Sequence, residues 1–389
     1  MTAGPLDRRD RVRGCLLGGA LGDALGAPVE FESIGRIRGR YGRGGLTGPV
    51  PDWRGKVGLI TDDTQMTLFT VEGLLRGGDV DAVRRAYLRW LDTQEHDSPP
   101  PPSATANAGT MNSAGTADGA GTANAGTAGE AVRTGGLREQ AWLYSQRAPG
   151  NACLSGLRKL RRGAPPFVPV PSGGRGPVNP DSKGCGTVMR SAPFGLASPS
   201  ARHAFDLAAD CAQITHGHPT GYLSAGALAA LVHFLVEDAT PDRGEPLARA
   251  VRETTDLLAT YPAHEETTGA LRAAVRLAAE GDPTPERVES LGGAWVAEEA
   301  LAIAVYCALL NPGPGDVGAA LLLAVNHSGD SDSTGAVCGN LLGALHGEAA
   351  LPGDWLAHLE GRDAIAGLAD DLAARSGDGH RATGTWLAR

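Results

Sequence analysis

Two glycine stripes near opposite ends of the chain constrain its fold more than any other feature. Gly14, Gly18, Gly22 and Gly26 fall every four residues, and so do Gly335, Gly339, Gly343 and Gly347. On a helix that spacing keeps the positions on nearly one face. A glycine inside a helix costs about 1 kcal/mol against alanine, so the repetition needs a reason. Close helix–helix approach supplies one, since absent side chains let two backbones nearly touch. The bland alternative is chance, because the chain holds 56 glycines among 389 residues. Acidic groups accompany both stripes: Asp23 and Glu30 at the first, Asp330 and Asp332 just before the second. If the two helices pack together, the chain ends meet and these acids converge.

Helical periodicity dominates the rest of the chain. Apolar residues recur at three- and four-residue spacing, as in Leu223, Ala227, Leu231, Phe234 and Leu235. The pattern predicts helices over 11–27, 63–77, 80–94, 137–146, 152–162, 201–214, 221–237, 244–259, 266–280, 295–310, 316–326, 333–346 and 362–375. No convincing run of alternating strands appears, so the fold class is all-α. The low aromatic share, 5%, and the abundant alanine and glycine agree with tightly packed helices. Residues 98–135 differ: a proline run, Pro99 to Pro102, leads into Ala/Gly/Thr/Asn repeats that cannot bury enough apolar surface to offset their ordering entropy. This stretch is expected to be a disordered insertion within a single domain spanning 1–389, because acidic clusters on both sides of it serve one site.

The formal charge of −9 argues against sequence-blind nucleic-acid binding through phosphates, though not against one modified nucleotide as substrate. None of the six cysteines forms a C-x-x-C pair, and a chain this long needs no disulfide staples. Reduced thiols and a cytoplasmic location follow as expectations. Arg8, Arg9, Arg11 and Arg13 precede an apolar stretch, but Asp23 interrupts it and no clean cleavage site follows, so a secretory signal is not expected. No segment is expected to reach the ~20 apolar residues of a membrane span.

Two acidic motifs carry the chemistry. The first is Thr61-Asp62-Asp63-Thr64-Gln65. Asp62 with Gln65 has capping-box spacing, so a helix start is the bland reading; yet a cap needs one acid, not two flanked by threonines. The second is His327-Ser328-Gly329-Asp330-Ser331-Asp332-Ser333-Thr334-Gly335. Its hard oxygen groups suit Mg2+, Mn2+ or Ca2+ and not Zn2+. A helix cap again competes. An EF-hand loop fails, because its twelfth position is Leu341 where a glutamate is needed. A phosphatase-type Asp-x-Asp-x-Thr nucleophile motif stays as a rival, with Leu321 to Val325 resembling the strand before it. Together the two clusters could hold two cations about 4 Å apart. Elsewhere, His216 and His218 form an H-x-H pair without a further ligand at metal spacing, and Lys183 to Arg190 form a glycine turn that could offer N–H groups to a phosphate.

At these residues the chain resembles the ADP-ribosylglycohydrolase family, of the dinitrogenase-reductase-activating glycohydrolase type. The matching pieces are Gly14 to Asp23 through Glu30, Thr61 to Thr64, Gly184 to Pro193, Thr215-His216, and His327 to Gly347. They span nearly the whole chain in the family's order, and the 98–135 insertion departs from it. The resemblance implies a compact orthogonal helical bundle and two Mg2+ ions, with Mn2+ as a substitute. It implies that Thr61, Asp62, Asp63, Asp330, Asp332 and Ser333 are metal ligands; Ser333 stands where many members have threonine, and keeps the hydroxyl. Glu30 matches a mobile glutamate that reaches a metal or gates the substrate. Gly150 and Asn151, Gly184, Cys185 and Gly186 look like ADP-ribose loops, and His216 like a substrate contact.

The expected activity is hydrolysis of the bond joining ADP-ribose to an acceptor, with ADP-ribose as product. The metals fix the ribose, and a carboxylate among Glu30, Asp63 and Asp332 assists water or protonates the leaving group. The substrate is an ADP-ribosylated protein or nucleic acid; arginine is the default acceptor by analogy, with serine and nucleic acid open. A monomer is expected. The alternatives are a metal-dependent phosphohydrolase and a non-catalytic ADP-ribose-binding module. The second of these should have lost some cluster ligands, and this chain keeps all of them.

Overall fold

A computed structural model describes residues 6–52, 54–99, 136–161, 167–238 and 245–377. Among these residues the fold is all-α, without a β-strand; an isolated antiparallel bridge joins Gly184 to Val296. From residue 100 to its end, the insertion placed at 98–135 lies outside the described residues.

In chain order the helices are α1 (Arg8–Gly26), α2 (Ile34–Tyr41), α3 (Asp62–Arg76), α4 (Val80–Glu95), α5 (Asn151–Arg161), α6 (Ala192–Ala197), α7 (Ala201–Ala212) and α8 (Pro219–Glu237). They continue with α9 (Pro246–Leu258), α10 (Glu265–Glu280), α11 (Pro285–Glu289), α12 (Ala297–Leu310), α13 (Val317–Val325), α14 (Ser331–His346), α15 (Gly353–Leu356) and α16 (Arg362–Gly377).

The central pair is α1 and α14. A Cβ at Gly14, Gly18 or Gly22 would overlap the carbonyl oxygen of Gly343, Gly339 or Gly335 respectively, and the reverse substitutions clash in the same way. The two stripes therefore pack backbone to backbone, as the spacing predicts. Gly347 has a different job: it follows the end of α14 at φ +76°, a conformation that favours glycine. Gly26 sits against Ser331 and Asp332, so the last contact of the stripe lands on the second acidic motif. Asn340 donates to the Cys15 carbonyl at 2.8 Å, which satisfies a polar group buried between the helices.

Three expectations change. The helix expected over 137–146 is two 3-10 turns, Leu137–Glu139 and Ala141–Leu143. The buried anchors in these turns, Leu137 and Leu143, would sit about 120° apart around an α-helix, so they do not share one face. The segment Leu321 to Val325, read as a possible strand, belongs to α13; this removes the strand that the phosphatase motif needs before its aspartate. Helix α8 is long and apolar enough to cross a bilayer, against the expectation that no segment is. Of its most apolar window, 94% is buried inside the protein, so the apolarity serves the core.

Candidate active site

The first acidic motif starts α3. Thr61 is its N-cap, and its hydroxyl accepts from the Asp63 N–H at 3.3 Å. The bland capping-box reading fails, because the Gln65 side chain turns away. Its amide donates to Ser145 O, and its carbonyl accepts from Trp90 and Gln94. Asp23 of α1 does the capping instead. Its buried carboxylate accepts the Thr61 N–H at 3.0 and 3.1 Å and the Thr64 N–H at 3.1 Å, and it also takes the Thr64 hydroxyl. Asp62 and Asp63 are thereby released from capping duty. Asp62 accepts the Gly150 N–H at 3.2 Å. One Asp63 carboxylate oxygen is buried with no hydrogen-bond partner.

The second motif starts α14. Asp330 caps it by accepting the Ser333 N–H at 3.2 Å, and Asp332 accepts the same N–H at 2.9 Å. Thr334 turns back into the protein, donating to Ala324 O at 2.7 Å. The two helix starts face each other. Glu30, Asp330 and Asp332 each bring a carboxylate oxygen within 4.8 Å of the others, and the Thr61 side chain reaches Asp332.

Burial raises the carboxyl pKa of Glu30, Asp62, Asp63, Asp330 and Asp332 above the usual range. The negative charge of Asp332 raises Glu30, Asp62 and Asp63 further. So many acids held dry and close repel one another, and one of their oxygens has nothing to bind. That donor set fits hard divalent cations held by oxygen. A softer group adjoins it: Cys185 Sγ lies 2.7 Å from Asp330 Oδ2, and burial beside that charge keeps the thiol protonated, which suits a donor and not a nucleophile.

A cavity of about 580 Å³ opens onto the cluster. Every residue singled out for metal or substrate contact lines it except Thr61. The glycines at 184 and 186 have a steric reason. A Cβ on Gly184 would press the His216 ring at 3.1 Å, and one on Gly186 would meet Cys153 Sγ at 2.8 Å. His216 is buried at the end of a polar relay. Arg190, itself buried, donates to Thr215 Oγ1 at 2.6 Å, and Thr215 Oγ1 lies 2.7 Å from His216 Nδ1. Arg190 and His216 thus share one hydroxyl, which also lies 3.4 Å from the Ala212 carbonyl oxygen, and the other ring nitrogen, Nε2, faces Gly184. The H-x-H pair is split: His218 caps α8, its Nδ1 accepting the Thr220 N–H. Lys183 is engaged by Glu266 and Glu298.

Comparison with known proteins identifies the family. The profile of the ADP-ribosylglycohydrolase family matches residues 4–381. The chain belongs to that family. It is accordingly a hydrolase acting on glycosyl bonds. Among relatives of this ADP-ribosylglycohydrolase, the ADP-ribosyl-[dinitrogen reductase] glycohydrolase of Rhodospirillum rubrum is 26% identical over 90% of each chain. The ADP-ribosylarginine hydrolase Tri1 of Pseudomonas putida is 25% identical over 96% of this chain and 81% of its own. A solved ADP-ribosylglycohydrolase-related protein complex superposes with a TM-score of 0.61 at 25% identity, covering 95% of this chain and 99% of that one.

Two features of the glycohydrolase cleft escaped the sequence. Asp23 was seen beside the stripe, but its capping of α3 was not. Phe31 and Trp295 stack at the mouth of the cleft, with ring centroids 5.2 Å apart, and remain 66% and 44% exposed. Phe31 has φ +67°, uncommon for a bulky residue, directly after Glu30. In a chain with few aromatics, an aromatic next to a site glutamate was the available signal. Beyond Phe31 a second cavity, of about 420 Å³, meets the first at Glu30, Phe31 and Ala148.

Proposed function

We propose that this chain cuts ADP-ribose from a modified protein by hydrolysing the glycosidic bond of the distal ribose, acting as a cytoplasmic monomer. One observation carries the reading: helix starts from opposite ends of the chain pool buried carboxylates in a single cleft, with an unpartnered Asp63 oxygen among them. Thr61, Asp62, Asp63, Asp330, Asp332 and Ser333 would hold two Mg2+ or Mn2+ ions. Such ions supply orientation of ribose hydroxyls and acidification of water.

The chain's own groups do the rest. Gly184, Gly186 and the buried His216 form a close-fitting wall that binds the ADP portion. Gly150 and Asn151, at the start of α5, hold its other side, and Cys185 donates toward Asp330. Asp63 and Asp332 lie inside the cleft, and one of the two takes the proton of attacking water. Glu30 lines both cavities, unlike Asp63 and Asp332, so it stands between sugar and acceptor and protonates the departing atom.

The test is release of free ADP-ribose, with added Mg2+ or Mn2+, from peptides modified on arginine or serine and from ADP-ribosylated nucleic acid. Turnover of an arginine-modified peptide is expected, and Asp332→Asn should lower it at least ~100-fold. Near-normal turnover by that variant with intact cation content would overturn the assignment; release of phosphate instead of ADP-ribose would favour phosphohydrolysis.

A further inference from the structure

The cavity beyond Phe31 is built from different parts of the chain than the cleft. Arg40 of α2 stands on one side, Val50 to Asp52 with Arg54, Lys56, Gly58 and Leu59 form another, and Ser145 to Ala148 close it. Hydrogen bonds and close packing hold this second wall. Asp52 accepts the N–H groups of Arg54 and Lys56 at 2.8 and 2.9 Å, closing a tight turn. Gly58, at φ +76°, lies so close to His358 that no side chain fits. Beneath this wall, Arg147 pairs with Glu360 and donates to Ile60 O at 2.5 Å.

The rim is cationic. Arg40, Arg54 and Lys56 are all exposed there. Arg40 lies 5.1 Å from the Tyr41 ring centroid, a contact that leaves its charge unneutralised. The acids facing these residues across the cavity are Glu30 and Asp52, and the Asp52 carboxylate already serves two backbone N–H groups. Val50, Pro51, Pro28 and Leu59 give the walls an apolar share that suits a polypeptide. A net charge of −9 over the whole chain makes this local excess of positive charge stand out; a long nucleic-acid backbone would also meet the negative remainder of the chain, which a short acidic segment need not.

We propose that this second cavity is the acceptor subsite, and that Arg40 and Lys56 select a polypeptide carrying acidic side chains next to the ADP-ribosylated residue. The inference rests on the glycohydrolase reading above. The cleft holds the glycine loop and the buried histidine on one side of Glu30, so the ADP portion lies there. The atom bonded to the ribose must then leave on the other side, and the second cavity opens there, past Phe31. Protein chain on either side of the modified residue would run through it, within reach of the rim.

The experiment compares ADP-ribosylated peptides, modified on arginine or serine and flanked by glutamates or by lysines, using the full-length enzyme with Mg2+. Free ADP-ribosyl-arginine serves as a further substrate. The unaltered enzyme should prefer the acidic peptide by about tenfold in kcat/KM at low salt, mainly through KM, and the preference should shrink as salt rises. In the double variant Arg40→Glu/Lys56→Glu the ratio should fall to about one or invert; being a ratio, it is insensitive to the amount of folded enzyme. Equal kcat/KM for the two peptides, or an unchanged ratio in the variant, overturns the proposal. A higher kcat/KM on modified nucleic acid than on either peptide overturns it in favour of a nucleic-acid acceptor. If the unaltered enzyme releases ADP-ribose from none of these substrates, including free ADP-ribosyl-arginine, the glycohydrolase reading itself fails.

Discussion

Asp23 and His216 show what single buried groups contribute when neither is placed on a metal. Asp23 fixes the start of α3, so Asp62 and Asp63 emerge at a set angle; its own carboxyl is pushed up to about 7, by burial first and then by the charge of Asp332. His216 moves the other way. Burial, with a smaller push from Arg190, lowers its pKa from 6.5 to about 3. The unfolded ring takes up its proton near pH 6.5 and the folded ring only near pH 3, so acid favours the unfolded chain. Its contribution is intact above pH 6.5 and fades as pH falls below that value. Between pH 8 and pH 5 the loss should be about 2 kcal/mol. Urea unfolding of the native chain and of His216→Gln at both pH values checks this, and parallel pH dependences would contradict it. In NMR the His216 ring should stay neutral down to pH 5, so it holds substrate as an uncharged hydrogen-bonding group. The sequence marked His216 as a candidate from its motif, but the Arg190–Thr215 relay behind it was out of reach. Arg190 lies in a separate segment, and only packing brings it to Thr215.

At the scale of elements, glycine means opposite things in different helices. Gly22 of α1 faces the Gly335 carbonyl, where a Cβ would overlap backbone that cannot swing aside. Gly269 of α10 is exposed, with nothing within 4 Å of where its Cβ would be. Gly22→Ala should therefore destabilise by roughly 1–3 kcal/mol despite alanine's better helix propensity, because overpacking outweighs it. Gly269→Ala should stabilise by up to ~1 kcal/mol. Denaturant midpoints of the two variants decide the matter, and a stabilised Gly22→Ala would mean that α1 and α14 are not in backbone contact. This pairing was legible because the four-residue repeat is a pattern in sequence alone. Helix α2 was not picked out: Ile34, Ile37 and Tyr41 fall at helical spacing, but over only two turns, with glycine at 35 and 39 and only Ile37 buried. Its first turn is instead held by the Ser33 cap and by Ser328, which accepts the Ile34 N–H at 2.8 Å. The 137–146 segment misled in the opposite sense, offering apolar residues without the spacing that one buried face requires.

For the whole molecule, the placement of the acids couples stability to cations. Helices α1 and α14 bring the two chain ends together, and α16 packs against α1. The cost of that closure is concentrated where α3 and α14 begin, since the carboxylates gathered there are buried and mutually repelling. Whatever neutralises them stabilises the entire fold by mass action. Mg2+ or Mn2+ at about a hundred times Kd should add about 2.7 kcal/mol and raise Tm by roughly 3 °C. A converse follows from the same repulsion. Asp63→Asn removes one charge and gives the unpartnered position an amide, so the cation-free variant should melt above the cation-free native chain. Adding Mg2+ should then raise its Tm by much less, and turnover should fall with the lost ligand. Thermal melts of both proteins in a chelator and in Mg2+ measure all four states. Equal melting temperatures in chelator, together with equal increments on adding Mg2+, would show that the acids at the two helix starts do not share a cation.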